Sequence, residues 1–131
     1  MREPKWLSAA LVEALHGECL AMFGGLPGVR DAGLLQSALD RPRNLFAYGE
    51  APSLFAMAAA YCAGIVKNHP FIDGNKRSGL LAARAFLFIN GYLLEADEAD
   101  EVRVIVGLAA GEVDETFLAS WIEANCQPRG R

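Results

Sequence analysis

Residues 67–79 read KNHPFIDGNKRSG and separate two apolar stretches, FAMAAAYCAGIV at 55–66 and LLAARAFLFING at 80–91. Both stretches place hydrophobic residues on every side of a helix, which is typical of buried helices rather than amphipathic surface helices. We therefore expect helices at about 53–67 and 75–90, and we expect this pair to form the centre of the domain. The polar segment between them is either an ordinary connecting loop or a functional site.

Further helices are expected around this central pair. One begins after Ser8 as its N-cap, and a second follows Asp31 and ends before Pro42. Two more are expected at about 98–110 and from Asp114 onward. No β-branched alternation is long enough for a sheet. The sequence thus predicts an all-α, single compact domain of about six helices.

Three details of this organisation are specific enough to check. The first helix is expected to bury the face that carries Leu11, Leu15, Cys19 and Met22. Residues 41–53, RPRNLFAYGEAPS, are expected to form a short irregular or hairpin flap with aromatic tips. The domain is expected to span 1–131 with its core at about 8–126, and residues 127–131 are expected to form a frayed tail.

The composition describes a globular protein. The 131 residues are 53% hydrophobic and 21% charged, which excludes a disordered chain. The formal net charge of −4 argues against direct nucleic-acid binding. Three scattered cysteines without zinc-ligand spacing favour a reducing compartment. With no signal peptide and no run long enough for a bilayer, we expect a cytoplasmic protein that does not contact membranes.

The segment HPFIDGNKR at 69–77 contains groups suited to phosphate chemistry. If a helix begins at Asn75, its first backbone N–H groups and the positive end of its dipole face an incoming anion, and Gly74 leaves that approach open. Lys76 and Arg77 lie in the first turn, where cations destabilise a helix by about 0.3–1 kcal/mol each. Their position is better explained by a bound anion.

Other side chains of the segment extend this interpretation. Asp73 offers a hard oxygen ligand for Mg²⁺ shared with a nucleotide. Asn75 can orient a phosphate or cap the helix. His69 is the nearby group able to accept a proton from a hydroxyl near neutral pH. Phe71 is expected to anchor the loop in the core.

Each of these residues also has an ordinary structural interpretation. A histidine at a helix end is usually a cap, Asp73-Gly74 is a common turn pair, and Asn75 is a usual N-cap residue. Arg77 can share a salt-bridge network with Arg84 on the same helix face. Taken singly, the structural interpretations are stronger, but nine residues in this order favour a functional site.

The segment HPFIDGNKR resembles the signature loop of the Fic superfamily, His-Pro-Phe-x-Asp/Glu-Gly-Asn-Gly/Lys-Arg, at every specified position. The resemblance extends over roughly 8–126. The block GGLPGVRDAGLLQSALDRP at 24–42, together with FLFINGY at 86–92 and FLASWI at 117–122, is similar to the death-on-curing (Doc) branch. Doc proteins are little more than the Fic core, which suits the length of this chain.

The resemblance implies a role for each matching position. His69 would be the general base and Asp73 the Mg²⁺ ligand. ATP phosphates would be bound by Gly74, Asn75, Lys76 and Arg77. The 41–53 flap would hold the target protein against the site, with contributions from Arg41, Arg43, Phe46 and Tyr48.

Two positions bear on which part of ATP is transferred. AMP-transferring Fic enzymes usually have Gly where this chain has Lys76, and a second Arg where it has Leu80. Doc proteins resemble this chain at Lys76 and transfer the γ-phosphate. The resemblance therefore implies a Doc-like toxin kinase that phosphorylates a Ser or Thr of a translation factor, elongation factor Tu in the family, and thereby blocks translation.

Regulation and the alternative functions follow from the same comparison. Many Fic proteins inhibit themselves through Ser/Thr-x-x-x-Glu, but no Ser or Thr here is followed by Glu at that spacing. A cognate antitoxin acting in trans is therefore expected. The alternatives are AMP or other nucleotidyl transfer to a protein hydroxyl, and a catalytically silent nucleotide-binding regulatory protein.

Overall fold

The computed structural model describes residues 1–50 and 52–130. Residue 51, within the expected flap, and residue 131, at the end of the expected tail, lie outside the described residues. The described chain forms six helices and two short strands, in the order α1 (Ala9–Phe23), α2 (Ala32–Tyr48), α3 (Leu54–Asn68), α4 (Asn75–Ile89), β1 (Tyr92–Leu94), α5 (Glu98–Ala110), α6 (Glu115–Ala124) and β2 (Cys126–Pro128). The predicted all-α domain of about six helices is confirmed.

The centre of the domain is the pair α3 and α4. Every residue of α3 from Met57 to Val66 is buried, as its uniformly apolar sequence predicts. Small residues let the helices approach closely: a Cβ added at Gly79 of α4 would lie 2.9 Å from Cγ2 of Val66 and 3.0 Å from the carbonyl oxygen of Cys62. This close packing fixes the positions of the two helix ends that flank residues 69–74.

Side-chain caps determine where four helices begin. Ser8, Asp31, Ser53 and Asp114 each precede a helix and accept a hydrogen bond from a backbone N–H of its first turn. Such caps satisfy one of the helix's unpaired donors and are typically worth about 1 kcal/mol. The helix starts predicted from these residues are therefore confirmed.

The expectation of a loop or hairpin flap at 41–53 is wrong for residues 41–48. Helix α2 does not end before Pro42 but continues through it to Tyr48, and Gly49 closes it with an N–H to the carbonyl of Leu45 (2.9 Å). Proline inside a helix removes one hydrogen bond and crowds the preceding turn. Tertiary contacts offset that cost.

Those contacts lie on both sides of the proline. The Pro42 ring is buried. Beyond it, the Phe46 ring packs edge-on against Trp6 with centroids 5.9 Å apart, and the Arg43 guanidinium lies 5.2 Å from the Trp6 ring centre. Before it, Arg41 forms a salt bridge with Glu115 of α6. The second half of α2 is therefore held by the N-terminal segment and by α6.

The end of the chain is paired rather than frayed as far as residue 129. Strand β2 runs antiparallel to β1, with Gln127 opposite Leu93. The N–H of Arg129 donates to the carbonyl of Gly91 (2.8 Å), and its guanidinium lies 4.5 Å from the ring centre of Phe88. The expectations of no strand and of a free tail from residue 127 are therefore wrong, because three-residue strands carry too little pattern to be recognised.

Helix α1 buries Cys19 as expected, but the rest of its buried face differs from the one expected. Its buried residues are Val12, His16 and Cys19, whereas Leu11 is 39% and Met22 is 76% exposed. The rotation brings a histidine into the interior and leaves apolar residues in solvent. The largest hydrophobic side chains did not mark the inner face.

The structure bears on the state of the cysteines and on membrane-spanning helices. Cys19, Cys62 and Cys126 are all free, and burial raises the pKa of the Cys62 thiol to about 12, so it stays protonated. Among residues 1–50 and 52–130, no helix is both long and apolar enough to cross a membrane.

The tight contact between α3 and α4 predicts opposite effects for two glycine substitutions. Gly79→Ala should lower the free energy of unfolding by about 1–3 kcal/mol, because the added methyl meets a backbone carbonyl and a valine that must move. Gly17→Ala, at an exposed position of α1, is the matched control: nothing lies within 4 Å of the added methyl, and the substitution should raise the free energy of unfolding by about 0.5–1 kcal/mol. Urea unfolding of both variants checks this. Equal stabilisation by both would contradict the packing.

Candidate active site

The site begins where α3 ends. His69 is the C-cap of α3 and has a left-handed backbone (φ 54°, ψ 52°); of the residues that the structure describes, it is the one non-glycine with positive φ. Such conformations cost about 1–3 kcal/mol and cluster at functional sites. The Arg30 guanidinium donates to the carbonyls of His69 (2.7 Å) and Asn68 (2.9 Å). A cation at a helix C-terminus is stabilising, so Arg30 helps to fix the point where His69 leaves the helix.

The loop is closed by a pair of hydrogen bonds between Asn75 and Phe71. The amide oxygen of Asn75 accepts from the Phe71 N–H (3.0 Å), and its amide nitrogen donates to the Phe71 carbonyl (2.9 Å). The Asn75 residue is only 4% exposed and Phe71 is fully buried. Both polar atoms of the Asn75 side chain are therefore paired with Phe71, and the side chain does not cap α4. The group of Asn75 that remains for a phosphate is its backbone N–H.

The N-terminus of α4 is open to an anion. Gly74 is its N-cap with φ 76°, a backbone region that favours glycine, and within the described part of the chain no side chain caps the helix. Lys76 and Arg77 are exposed in the first turn. Backbone donors, the positive end of the helix dipole and two cations thus lie together at this end of α4, which suits a phosphate group.

Asp73 is held by backbone donors from two segments. One carboxylate oxygen accepts from the Leu26 N–H (3.1 Å) and the other from the Gly74 N–H (2.8 Å). The hydrogen bonds from Leu26 and then Gly74 lower the pKa of Asp73 below its usual value. Desolvation opposes them, and still smaller coulombic contributions from the two nearby imidazoles act in the same direction as the hydrogen bonds. Because the pKa is lowered on folding, the resulting stabilisation is present above the unfolded-state pKa and is lost as pH falls through the folded-state pKa. Asp73 is therefore ionised at neutral pH.

The carboxylate oxygens of Asp73 are suited to Mg²⁺. The described residues contain no group of three His, Cys, Asp or Glu side chains that could hold an ion by themselves. A single carboxylate is the usual protein contribution to Mg²⁺ bound together with nucleotide phosphates and water. Each carboxylate oxygen keeps a lone pair beyond its backbone bond. The residues present therefore fit Mg²⁺ shared with a nucleotide.

Most of the predicted loop residues line one cavity of about 950 Å³. Its walls are the loop, the exposed face of α4, the end of α1 and one face of α5. Six predicted site residues line it: His69, Asp73, Gly74, Asn75, Lys76 and Arg77. Phe71 lies behind the loop in the core. The cavity is large enough for a nucleotide.

The four residues predicted to position a target lie elsewhere. Arg41 and Tyr48 line a separate cavity of about 440 Å³ that shares no residue with the first. Arg43 and Phe46 pack against Trp6. Because 41–48 is helical rather than a flap, the structure does not bring these side chains to the loop.

Three residues at the site were missed from the sequence. His16 contacts the Asp73 carbonyl oxygen through Nε2 (2.8 Å), the Leu26 N–H binds the Asp73 carboxylate, and the Phe23 ring lies 3.8 Å from the Arg77 guanidinium carbon. All three belong to α1 or the glycine-rich turn after it. A polar residue spaced between Val12 and Cys19 was the available signal for His16; nothing local marked the others.

Comparison with known proteins identifies the class. A model of the Fic/DOC family matches residues 6–87, well over half of the chain. The chain therefore belongs to the Fic/DOC family. It is 35% identical over 106 residues to the protein kinase doc of Escherichia phage P1, covering 81% of this chain and 83% of that protein. It is 45% identical over 76 residues to the toxin Doc of Mycolicibacterium smegmatis, covering 57% of this chain and 58% of that protein.

The closure of the loop by Asn75 predicts a large loss of stability on truncation. Asn75→Ala leaves the N–H and carbonyl of buried Phe71 without partners, at about 1–3 kcal/mol for each group. Asn75→Asp keeps an acceptor for the N–H but removes the donor, so it should also destabilise.

Urea unfolding midpoints measure both variants, with exposed Asn44→Ala as the control that should stay within about 0.5 kcal/mol. A wild-type midpoint for Asn75→Ala would show that the two hydrogen bonds do not hold the loop.

Proposed function

We propose that this protein is a Doc-type toxin that transfers the γ-phosphate of ATP to a Ser or Thr hydroxyl of a target protein. The observation that supports this most directly is the shared cavity. A histidine, a carboxylate, two cations and the open N-terminus of α4 all line it. Membership of the Fic/DOC family and the similarity to a protein kinase doc support the same reaction.

In the proposed reaction, His69 acts as general base. The imidazole takes the proton of the target hydroxyl while its oxygen attacks the γ-phosphorus. The bond from that phosphorus to the β–γ bridging oxygen breaks, and ADP leaves with the electron pair. The imidazole of His69 is exposed at the rim of the cavity, so a protein substrate can reach it. Its left-handed backbone sets the direction of the side chain.

The phosphates would be held by the start of α4. Arg77 can bind two phosphate oxygens with its planar guanidinium, and Lys76 contributes a point charge. Gly74 lets the phosphates approach the backbone donors. Asp73 would hold Mg²⁺, which when bound neutralises charge on the transferred phosphoryl group. Positioning and charge neutralisation are the main contributions to such reactions.

Two residues further along α4 favour phosphoryl over AMP transfer. Leu80 lines the cavity at the position where AMP-transferring relatives are expected to carry a second phosphate-binding arginine. Arg84, one turn later, does not replace it, since its guanidinium donates to Glu101 (2.9 Å) and to the Leu94 carbonyl (3.2 Å). Nucleotidyl transfer therefore remains the second candidate.

The target and regulator are proposed by family analogy. The substrate would be a translation factor in the cytoplasm, elongation factor Tu being the first candidate, and its phosphorylation would stop translation. A cognate antitoxin would control the enzyme in trans, because the chain lacks a Ser/Thr-x-x-x-Glu inhibitory helix. The similarity to a toxin Doc supports such a pairing.

The proposed reaction predicts which label is transferred. With γ-labelled ATP, Mg²⁺ and elongation factor Tu or a cell extract, the wild-type protein should label one protein, and α-labelled ATP should label none. His69→Asn should reduce labelling by about 100-fold or more. Asparagine tolerates the left-handed backbone, so this variant removes the base without straining the loop.

The other outcomes of this experiment are informative. Transfer of the α-label would establish nucleotidyl transfer instead. Tight nucleotide binding without transfer of either label would indicate a regulatory nucleotide-binding protein. Unchanged labelling by His69→Asn would remove His69 from the reaction.

The contact between Phe23 and Arg77 predicts a measurable effect on ATP use. Phe23→Leu removes the aromatic face that lies against the guanidinium, an interaction worth about 0.5–1 kcal/mol at exposed sites. The KM for ATP should rise by about 2–5-fold with little change in kcat.

Phe88→Leu is the matched control, because Phe88 also carries a stacked arginine, Arg129, but lies outside the cavity. Its KM should equal that of the wild type. Equal effects from the two substitutions would show that the Phe23 contact is unrelated to phosphate binding.

A further inference from the structure

A second histidine, His16 of α1, lies directly beneath the loop. It is 5% exposed, and its Nε2 is 2.8 Å from the carbonyl oxygen of Asp73. A carbonyl oxygen only accepts hydrogen bonds, so Nε2 carries the proton and donates it. The interaction joins residues 57 positions apart in sequence. Because it is buried, His16 does not itself touch a ligand in the cavity.

Two further contacts pack the His16 ring against the loop. The ring stacks on Phe71 with centroids 3.9 Å apart and planes 5° from parallel. Gly74 lies over the same ring, since a Cβ added there would be 3.7 Å from Nε2. Contacts of the His16 ring with Phe71 and Gly74 therefore hold the loop against α1 on both sides of Asp73.

The hydrogen bond from His16 acts on one peptide unit, the Asp73–Gly74 amide. Its carbonyl accepts from His16, and its N–H donates to the Asp73 carboxylate (2.8 Å). A peptide unit is planar, with its C=O and N–H pointing in opposite directions. Fixing the carbonyl therefore also fixes the N–H, and with it the direction of the carboxylate and the left-handed entry of Gly74 into α4.

We propose that His16 is a positioning residue that holds the Asp73–Gly74 peptide in the orientation needed to bind Mg²⁺ and nucleotide phosphates. The inference rests on the proposed function, because it assigns to Asp73 and α4 the roles given above. It adds to the site a residue from α1 that acts through the loop backbone.

Three substitutions separate the hydrogen bond from the shape of the ring. His16→Gln keeps an N–H donor at nearly the reach of Nε2, His16→Asn carries the same amide on a shorter side chain, and His16→Phe keeps the ring without a donor. The Kd for ATP in the presence of Mg²⁺ is measured by calorimetry at a temperature where each variant is folded, alongside kcat and KM.

We expect the Gln variant to bind Mg²⁺·ATP within about 3-fold of the wild type, and the Phe and Asn variants to bind about 10-fold more weakly, as loss of one buried hydrogen bond predicts. KM should follow Kd, and kcat should change less. If the Phe variant does not fold, the Gln and Asn pair still carries the test.

Three results would overturn the inference: wild-type affinity in the Phe or Asn variant, equal loss in all three variants, or loss confined to thermal stability. A wild-type protein that binds Mg²⁺·ATP but transfers no γ-phosphate would refute the proposed kinase and leave the comparison of the variants intact. A wild-type protein that does not bind Mg²⁺·ATP would refute both.

Discussion

The close packing of α3 against α4 is the constraint on which the rest of the structure depends. Gly79 brings α4 against the backbone carbonyl of Cys62, so the two helices have little freedom to slide or rotate. The short connection between them must then leave α3 in a left-handed turn at His69 and enter α4 at another left-handed residue, Gly74. Strain at the histidine is sustained because a rigid, buried pair of helices surrounds it.

In the loop between these helices, internal and neighbouring contacts hold the backbone, and the ionisable side chains face the cavity. Asn75 and Phe71 close it from within, and the turn after α1 ties it from outside through the Leu26 amide and an antiparallel bridge between Val29 and Phe71. Because these contacts satisfy the backbone, the ionisable side chains are free to face the cavity. The exposed cations at the start of α4 lower the stability of that helix and become favourable once an anion binds.

Several of these features could be predicted because they are local. Caps such as Ser8 and Asp31 define helix starts within a few residues, and a fully apolar helical run indicates burial regardless of its partner. The candidate loop was recognisable because its nine residues are contiguous. The roles of its side chains were harder to predict. The Asn75 side chain has the usual chemistry of a phosphate ligand, yet in the fold it hydrogen-bonds Phe71 instead.

The helical class, the central pair of helices and the residues of the candidate loop all follow from the sequence, since each depends on neighbours along the chain. Three other features depend on tertiary contacts: the face of α1 that is buried, the continuation of α2 through Pro42, and the pairing of the chain end with β1. In each case a contact between distant residues outweighs the local preference: Trp6 holds the second half of α2, and Asp73 receives a hydrogen bond from His16. Such energies depend on three-dimensional neighbours, which no local pattern encodes.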